Sequence, residues 1–169
     1  KTLQIVYKKS FYYLFILALP ICLGVTLLAY RIIIFIYKEQ FLESVIALQI
    51  LVWALIFLFL NYLMGSLLNS INLQRLFAII TFIGASVNII LNFILISIYS
   101  FKGAAAATIV TGFLNFILLY YFSTKNNFKV NLISIASKPI FASIIMGIFL
   151  IILKNMHILI LVPLSALVY

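Results

Sequence analysis

Long apolar runs separated by short polar clusters dominate the pattern along this chain. Runs of this length, without a hydrophobic period of two, predict transmembrane helices, because each backbone group in hydrocarbon must be hydrogen-bonded within its own segment. A spanning helix takes about 20 apolar residues, so the sixth run is too short to span unaided. We therefore predict an all-α, polytopic transmembrane bundle of about six helices. The runs are Phe11–Tyr37, Ser44–Leu68, Leu76–Tyr99, Ala104–Phe122, Ile133–Leu153 and Ile158–Tyr169.

The amino-acid composition supports this prediction and excludes several other classes of protein. Of the 169 residues, 67% are hydrophobic and 8% are charged, whereas soluble domains carry about 25% charged residues. Six spans leave too little chain for a sizeable soluble domain, a nucleotide-binding module or an ordinary β-barrel. The single cysteine, Cys22, excludes an internal disulfide and a thiolate metal cluster. The chain is expected to be an integral membrane protein without a bound cofactor.

The net charge of +9 is interpreted through membrane topology, because the basic residues are scattered between apolar runs and form no nucleic-acid-binding patch. If successive runs cross the membrane, seven basic residues lie on the side of the N-terminus and four on the opposite side, together with both glutamates. The positive-inside rule then predicts a cytoplasmic N-terminus for a bundle in the cell membrane. The seven are Lys1, Lys8, Lys9, Arg75, Lys125, Lys129 and Lys138, and the four are Arg31, Lys38, Lys102 and Lys154.

The two ends of the chain suggest a segment of a longer, transporter-like protein. The chain begins with Lys1 rather than methionine, and its final apolar run has only 12 residues. On this interpretation, residues 1–125 supply four spans. Residues 126–169 supply an additional terminal helix pair, of which the last span is truncated.

Several local motifs follow one another in an order typical of one transporter family. They are Leu19-Pro20-Ile21 with Gly24, the stretch Leu63–Ser70 with the basic turn Gln74-Arg75, the pair Asn88 and Asn92 within Val87–Ile96, and the small-residue stretch Gly103–Thr108 after Lys102. Together they resemble the C-terminal half of polysaccharide flippases of the O-antigen type, in the multidrug/oligosaccharidyl-lipid/polysaccharide exporter superfamily. Two positions depart from the family pattern: Ser97 stands where proline is frequent, and Ser100 stands where the pattern has its first glycine.

The resemblance implies both an architecture and a function. Two helical lobes would surround a central cavity and alternate between inward-open and outward-open states. The cargo would be a polyprenyl-pyrophosphate-linked oligosaccharide, moved across the membrane for surface polysaccharide synthesis. The first four runs would then be the ninth to twelfth helices of the family fold, and the last two an extra pair found in its longer members. Membrane lipids and a polysaccharide polymerase or glycosyltransferases of the same pathway would be the partners.

Four polar residues are candidates for substrate contact. Arg31 lies inside an apolar stretch, where an ionisable residue costs several kcal/mol unless it faces a cavity or reaches the headgroups. Asn88 and Asn92 share one helix face, so they either line the cavity and bond sugar hydroxyls or a coupling ion, or hold helices together. Arg75 either attracts an anionic headgroup at the inner mouth or only sets topology. These alternatives stay open from the sequence alone.

Small residues predict close helix contacts in three of the runs. Ala104, Thr108 and Gly112 recur every four residues on the fourth run, and such faces let helices approach closely. Gly84 shares the face of Asn88 one turn earlier, and Gly65 lies between Asn61 and Asn69 on the second run. We expect these positions to be packing surfaces.

Enzymatic chemistry is not expected, because the chain has no aspartate and both glutamates, Glu39 and Glu43, lie in one polar break. General acid–base or nucleophilic catalysis needs carboxylates, a His/Ser pair or a metal site. A multidrug efflux transporter of the same superfamily is the nearest alternative, although such proteins usually carry carboxylates in their helices. A non-transporting scaffold of envelope synthesis and a membrane glycan transferase are the other two.

Overall fold

A computed structural model of the protein describes residues 2–153 and 169, and over these residues it is helical and contains no strand. The predicted all-α transmembrane bundle is therefore confirmed. Within residues 2–153, five segments are long and apolar enough to cross a membrane. The predicted sixth span, except for Tyr169, and Lys154 lie outside the described residues. The helices are α1 (Thr2–Tyr37), α2 (Ser44–Val52), α3 (Ala54–Ser70), α4 (Gln74–Tyr99), α5 (Phe101–Lys125) and α6 (Leu132–Ile152), with a 3₁₀ turn at Glu39–Phe41 between α1 and α2.

Helix α1 begins nine residues earlier than the first apolar run, at Thr2. Lys8 and Lys9 do not interrupt it, because both side chains lie on its exposed side while Tyr7 and Phe11 are buried. Its 36 residues extend about 54 Å at 1.5 Å per residue, well beyond the ~30 Å hydrocarbon core. The predicted start at Phe11 was wrong because charges on one face of a helix do not end it.

The second apolar run is two helices rather than one. Helix α2 ends at Val52 and helix α3 begins at Ala54, with Trp53 between them. Two side-chain hydrogen bonds tie this segment to α1: the Cys22 Sγ donates to the Val52 carbonyl at 3.1 Å, and the Gln49 amide donates to the Thr26 carbonyl at 3.0 Å. The break therefore depends on tertiary contacts, and the local sequence contains no proline or glycine to predict it.

The packed helix pairs define the order of the bundle. Helix α5 packs against α4, α3 and α2, whereas α1 packs against α6, α2 and α3. The α2–α3 segment therefore lies in the middle, with α5 and α4 on one side of it and α1 and α6 on the other. Helices α1 and α4 do not form a packed pair.

The larger apolar core lies at the end of the bundle where α1 begins and α3 and α5 end. The Gln4 amide donates to the Asn127 carbonyl there at 3.1 Å, and the Tyr7 ring meets the Phe128 ring edge-on. These contacts place the loop after α5 beside the start of α1. The buried members of this core are Tyr7, Phe11, Leu60, Met64, Leu67, Leu68, Ile80, Leu119 and Val130.

Helices α4 and α5 form a tight hairpin in which Ser100 is the only linking residue. Its φ of 53° and ψ of −138° lie in a region that glycine adopts far more readily than other residues. Three residues later, Gly103 is buried, and a Cβ atom there would overlap the Leu95 carbonyl group of α4. The hairpin is therefore closed by direct contact between the two backbones.

Candidate functional site

A cavity of about 910 Å³, open to the outside of the bundle, is lined by all five of the helices α1 to α5, and its lining side chains Leu51, Leu58 and Tyr62 are exposed. One wall is apolar and comes mainly from the α2–α3 segment, with Leu48, Leu51, Leu55 and Leu58. Val52 and Ala54, which flank the helix break, also line it. This size lies within the range of small-molecule and cofactor sites, which are mostly apolar with a few placed polar groups.

Polar side chains from α3, α4 and α5 form a strip in the same cavity. Three of them, Thr108, Thr111 and Asn115, recur at spacings of three and four along one face of α5. Asn61 joins from α3 and Thr81 from α4. Within residues 2–153 no charged residue lines the cavity. The strip can therefore bond hydroxyl or amide groups, but it offers no counter-ion.

Asn61 connects α3 to α5 across this strip. Its amide nitrogen donates to the Gly112 carbonyl at 3.0 Å, which fixes the direction of the amide. Its Oδ1 is buried without a hydrogen-bond partner, and the Oδ1 of Asn115 is in the same state. Unpaired buried acceptors cost about 1–3 kcal/mol each.

Asn88 and Asn92 lie at the seam between α4 and α5. The Asn92 amide donates to the Asn88 Oδ1 at 2.8 Å, and the Asn88 amide donates to the Thr111 Oγ1 at 3.0 Å. Thr111 in turn donates to the Ala107 carbonyl at 2.8 Å. We call these side chains the α4–α5 ladder. Bonds of this kind between membrane helices are worth about 0.6–2 kcal/mol. Neither asparagine lines the cavity, so their role in substrate binding stays a prediction.

The predicted small-residue positions lie against large or polar partners. A Cβ atom at Gly65 would lie 2.5 Å from the Phe77 ring, and one at Gly112 would lie 3.2 Å from the Phe57 Cβ. Gly84 lies against the side chain of Asn115. These distances leave no room for a larger side chain at Gly65 or Gly84 without a shift of the partner.

The small-residue face predicted on α5 was assigned to no particular partner helix: its Gly112 lies against Phe57 of α3, and the face buried against α4 is displaced from it by one residue. Gly103, Ala107 and Thr111 are buried, whereas Thr108 is exposed, lines the cavity and donates to the Ala104 carbonyl at 2.9 Å. Both faces carry small residues at a spacing of four, so their order in the sequence does not distinguish them. Asn115 and Thr81 were not predicted as cavity residues. The only available signal was the spacing of Asn115 from Thr108 and Thr111.

The two candidate arginines lie at opposite ends of the bundle. Arg75 is exposed near the start of α4. Arg31 is half-buried, about 36 Å along α1 from Tyr7 at 1.5 Å per residue. Neither arginine lines the cavity, and the structure does not bring them together with Asn88 and Asn92. Their roles also stay predictions.

Charge is distributed unevenly between the two ends. The end where α1 begins holds six basic residues and no acidic residue among those described, while the opposite end holds three basic residues and both glutamates. Among the described residues no three His, Cys, Asp or Glu side chains come together as a metal site. The six are Lys8, Lys9, Arg75, Lys125, Lys129 and Lys138, and the others are Arg31, Lys38, Lys102, Glu39 and Glu43.

Comparison with known proteins adds one distant similarity. The chain is 30% identical over 125 residues to an uncharacterized membrane protein, MJ1068, of Methanocaldococcus jannaschii. The match covers 74% of this chain and 25% of the relative, so the chain spans about a quarter of the length of the curated relative it matches. No protein-family model matches the chain. The similarity and the five apolar spans within residues 2–153 identify a multi-span membrane protein.

Proposed function

We propose that this chain forms part of a transporter that flips polyprenyl-pyrophosphate-linked oligosaccharide across the cytoplasmic membrane by alternating access. The observation that carries the proposal is the cavity of about 910 Å³ among the spans, with its apolar wall and its uncharged polar strip. A polar path through a lipid-embedded bundle is what a sugar needs in order to cross hydrocarbon. The resemblance of the motifs around Asn88, Asn92 and Gly103–Thr108 to O-antigen-type flippases supplies the substrate class.

The broken α2–α3 segment fits a protein that changes shape. The break is the single residue Trp53, whose backbone stays in the helical region (φ −69°, ψ −21°) while its N–H bonds the Ile50 carbonyl at 3.2 Å. The residues beside the break line the cavity, and Cys22 bonds the Val52 carbonyl from α1. In our proposal, Trp53 is the point at which α2 moves relative to α3 as the cavity opens to alternate sides.

The two arginines receive separate roles in this mechanism. The basic end is cytoplasmic by the positive-inside rule, so Arg75 attracts the pyrophosphate of the incoming substrate at the inner mouth. Arg31, near the opposite end of α1, attracts it on the outer side. Asn88 and Asn92 hold α4 and α5 together as one unit, and the chain has no catalytic role. A polymerase or glycosyltransferases of the same pathway receive the exported glycan.

The proposal is tested by deleting the coding sequence in the host and restoring it in variant forms. Deletion should leave lipid-linked glycan on the cytoplasmic face and remove glycan from the cell surface. Thr108→Phe should fail to restore export, because Thr108 is exposed to the cavity and a phenyl ring would occupy it. Val110→Phe is the matched control, since Val110 is exposed on the same helix and does not line the cavity. Unchanged surface glycan in the deletion strain would refute the proposed function.

A further inference from the structure

We propose that the cavity lined by α1 to α5 binds an uncharged, hydroxyl- or amide-bearing head group of an amphiphile, through acceptor oxygens, and excludes its anionic group. This inference rests on the proposed function in taking a lipid-linked glycan as cargo. It adds a division within the site: the neutral sugar lies in the cavity, and the charged linkage stays outside it.

Most of the hydrogen-bond donors in the strip already donate to backbone carbonyls of the protein. The hydroxyl of Thr81 donates to the Phe77 carbonyl at 2.9 Å, and the hydroxyl of Thr108 donates to the Ala104 carbonyl at 2.9 Å. Thr111 donates to its own helix, and the Asn61 amide donates to Gly112. A hydroxyl that donates to its own backbone still has lone pairs. The hydroxyls of Thr81 and Thr108 therefore face the cavity as acceptors.

Two further acceptors lie just beneath the lining. The Oδ1 atoms of Asn61 and Asn115 are buried and have no hydrogen-bond partner, which is an unfavourable state. Both side chains line the cavity, although that of Asn115 lies against Gly84. The Asn61 amide keeps its bond to the Gly112 carbonyl, so a donor that reaches the Asn61 Oδ1 from the cavity gives this acceptor a partner without turning the side chain.

The part of the lining that comes from the described residues carries no charge, and this decides which part of a substrate fits. An anion moved from water into such a surrounding loses its hydration and gains no counter-ion. The acceptor oxygens of the strip would repel it further. A neutral sugar brings several O–H donors and no charge, and the Leu48, Leu51, Leu55 and Leu58 wall covers the apolar chain beside it.

The test uses the 169-residue chain in phosphatidylcholine vesicles, with three amphiphiles that share one dibrominated acyl chain. Their head groups are maltose, a methyl-capped oligo-ethylene glycol and phosphate. Trp53, the only tryptophan in the sequence, adjoins the cavity residues Val52 and Ala54, so bromine that enters the cavity quenches its fluorescence. We expect the maltoside to bind about fivefold tighter than the capped ether, the effect of one net hydrogen bond, and the phosphate to bind most weakly.

Variants distinguish binding through the acceptor oxygens from binding through apolar contact alone. Asn61→Leu and Thr108→Val should each reduce the preference for maltoside over the capped ether, while Asn69→Leu, at an exposed position of α3 away from the cavity, should leave it unchanged. Far-UV circular dichroism checks folding. If Asn61→Leu misfolds, Thr108→Val alone tests the inference. Thr108 is exposed, so its substitution should leave the fold intact.

Equal quenching by all three head groups, or a preference unaffected by both variants, would overturn the inference. Its failure is distinguishable from failure of the proposed function. If the deletion strain lacks surface glycan but the chain shows no head-group preference, only the inference about the cavity is refuted. If the deletion strain has normal surface glycan but the chain clearly prefers the maltoside, only the flippase function is refuted.

Discussion

The two outer helices are held to the bundle in different ways. On one side, α4 meets α5 through a one-residue turn, a backbone contact at Gly103 and the α4–α5 ladder. On the other side, α6 packs against α1 around the buried side chains of Leu28, Met146 and Leu150. The nearest atom to a Cβ at Gly24, on that second seam, would be the Met146 Cε at 3.7 Å.

The contrast predicts which seam is rigid. Backbone contact and directed hydrogen bonds have one low-energy arrangement, whereas flexible side chains such as methionine and leucine can repack with small losses. The α4–α5 hairpin should therefore move as one body. Changes of shape should be taken up at the α1–α6 seam and at the Trp53 break.

The strongest test adds a methyl group to each seam. Gly103→Ala should destabilise the fold by about 1–3 kcal/mol or more, because the new Cβ meets the Leu95 carbonyl and the two backbones must separate. Gly24→Ala should change stability by less than about 0.5 kcal/mol, since its methyl reaches only ordinary contact with Met146. Unfolding in SDS, followed by loss of helicity, measures both.

An intermediate substitution refines the same comparison. Gly147→Ala on α6 would bring its Cβ to 2.9 Å from the Leu23 Cδ2, the far end of a flexible side chain. Its cost should fall between those of the other two variants. Equal effects of Gly103→Ala and Gly24→Ala would contradict the assignment of α4–α5 as the rigid seam.

The next effect comes from the α4–α5 ladder. In a double-mutant cycle, Asn88→Ala and Thr111→Ala should show a coupling of about 1 kcal/mol, because the 3.0 Å bond between them crosses the seam. The pair Asn88→Ala and Ser97→Ala is the control, since Ser97 is exposed and bonds only within α4. Coupling near zero for the first pair would show that the ladder does not hold the hairpin together.

The sequence predicted the spans well because their signal is strong and local. Five runs of apolar residues correspond to the five candidate spans within residues 2–153. In hydrocarbon the backbone groups of a span must hydrogen-bond within their own helix, so each span needs a long apolar run. The break at Trp53 was not predictable, because it depends on Cys22 and Gln49 bonding to carbonyls across the α1–α2 contact. Such partners are distant in sequence.

The candidate site was harder to predict than the fold for a related reason. Asn61, Thr81 and Asn115 each look like ordinary helix residues, and only the packing of three helices brings them to one cavity wall. The choice between the two small-residue faces of α5 depends on a rotation of one residue. Sequence periodicity identifies that such a face exists, but not which neighbour it meets.

The smallest expected effect concerns the turn that closes the rigid hairpin. Ser100→Gly should stabilise the protein by up to about 1 kcal/mol, because glycine adopts positive φ without a Cβ penalty and Ser100 has φ of 53°. The position is also where the flippase pattern has its first glycine. Asn72→Gly is the matched control, since Asn72 also has positive φ, at 61°, but asparagine tolerates the left-handed region. Its stability should change little. If Ser100→Gly lowers the SDS midpoint instead, the α4–α5 turn does not hold Ser100 in a strained conformation, and the rigidity of that seam depends on Gly103 and the ladder alone.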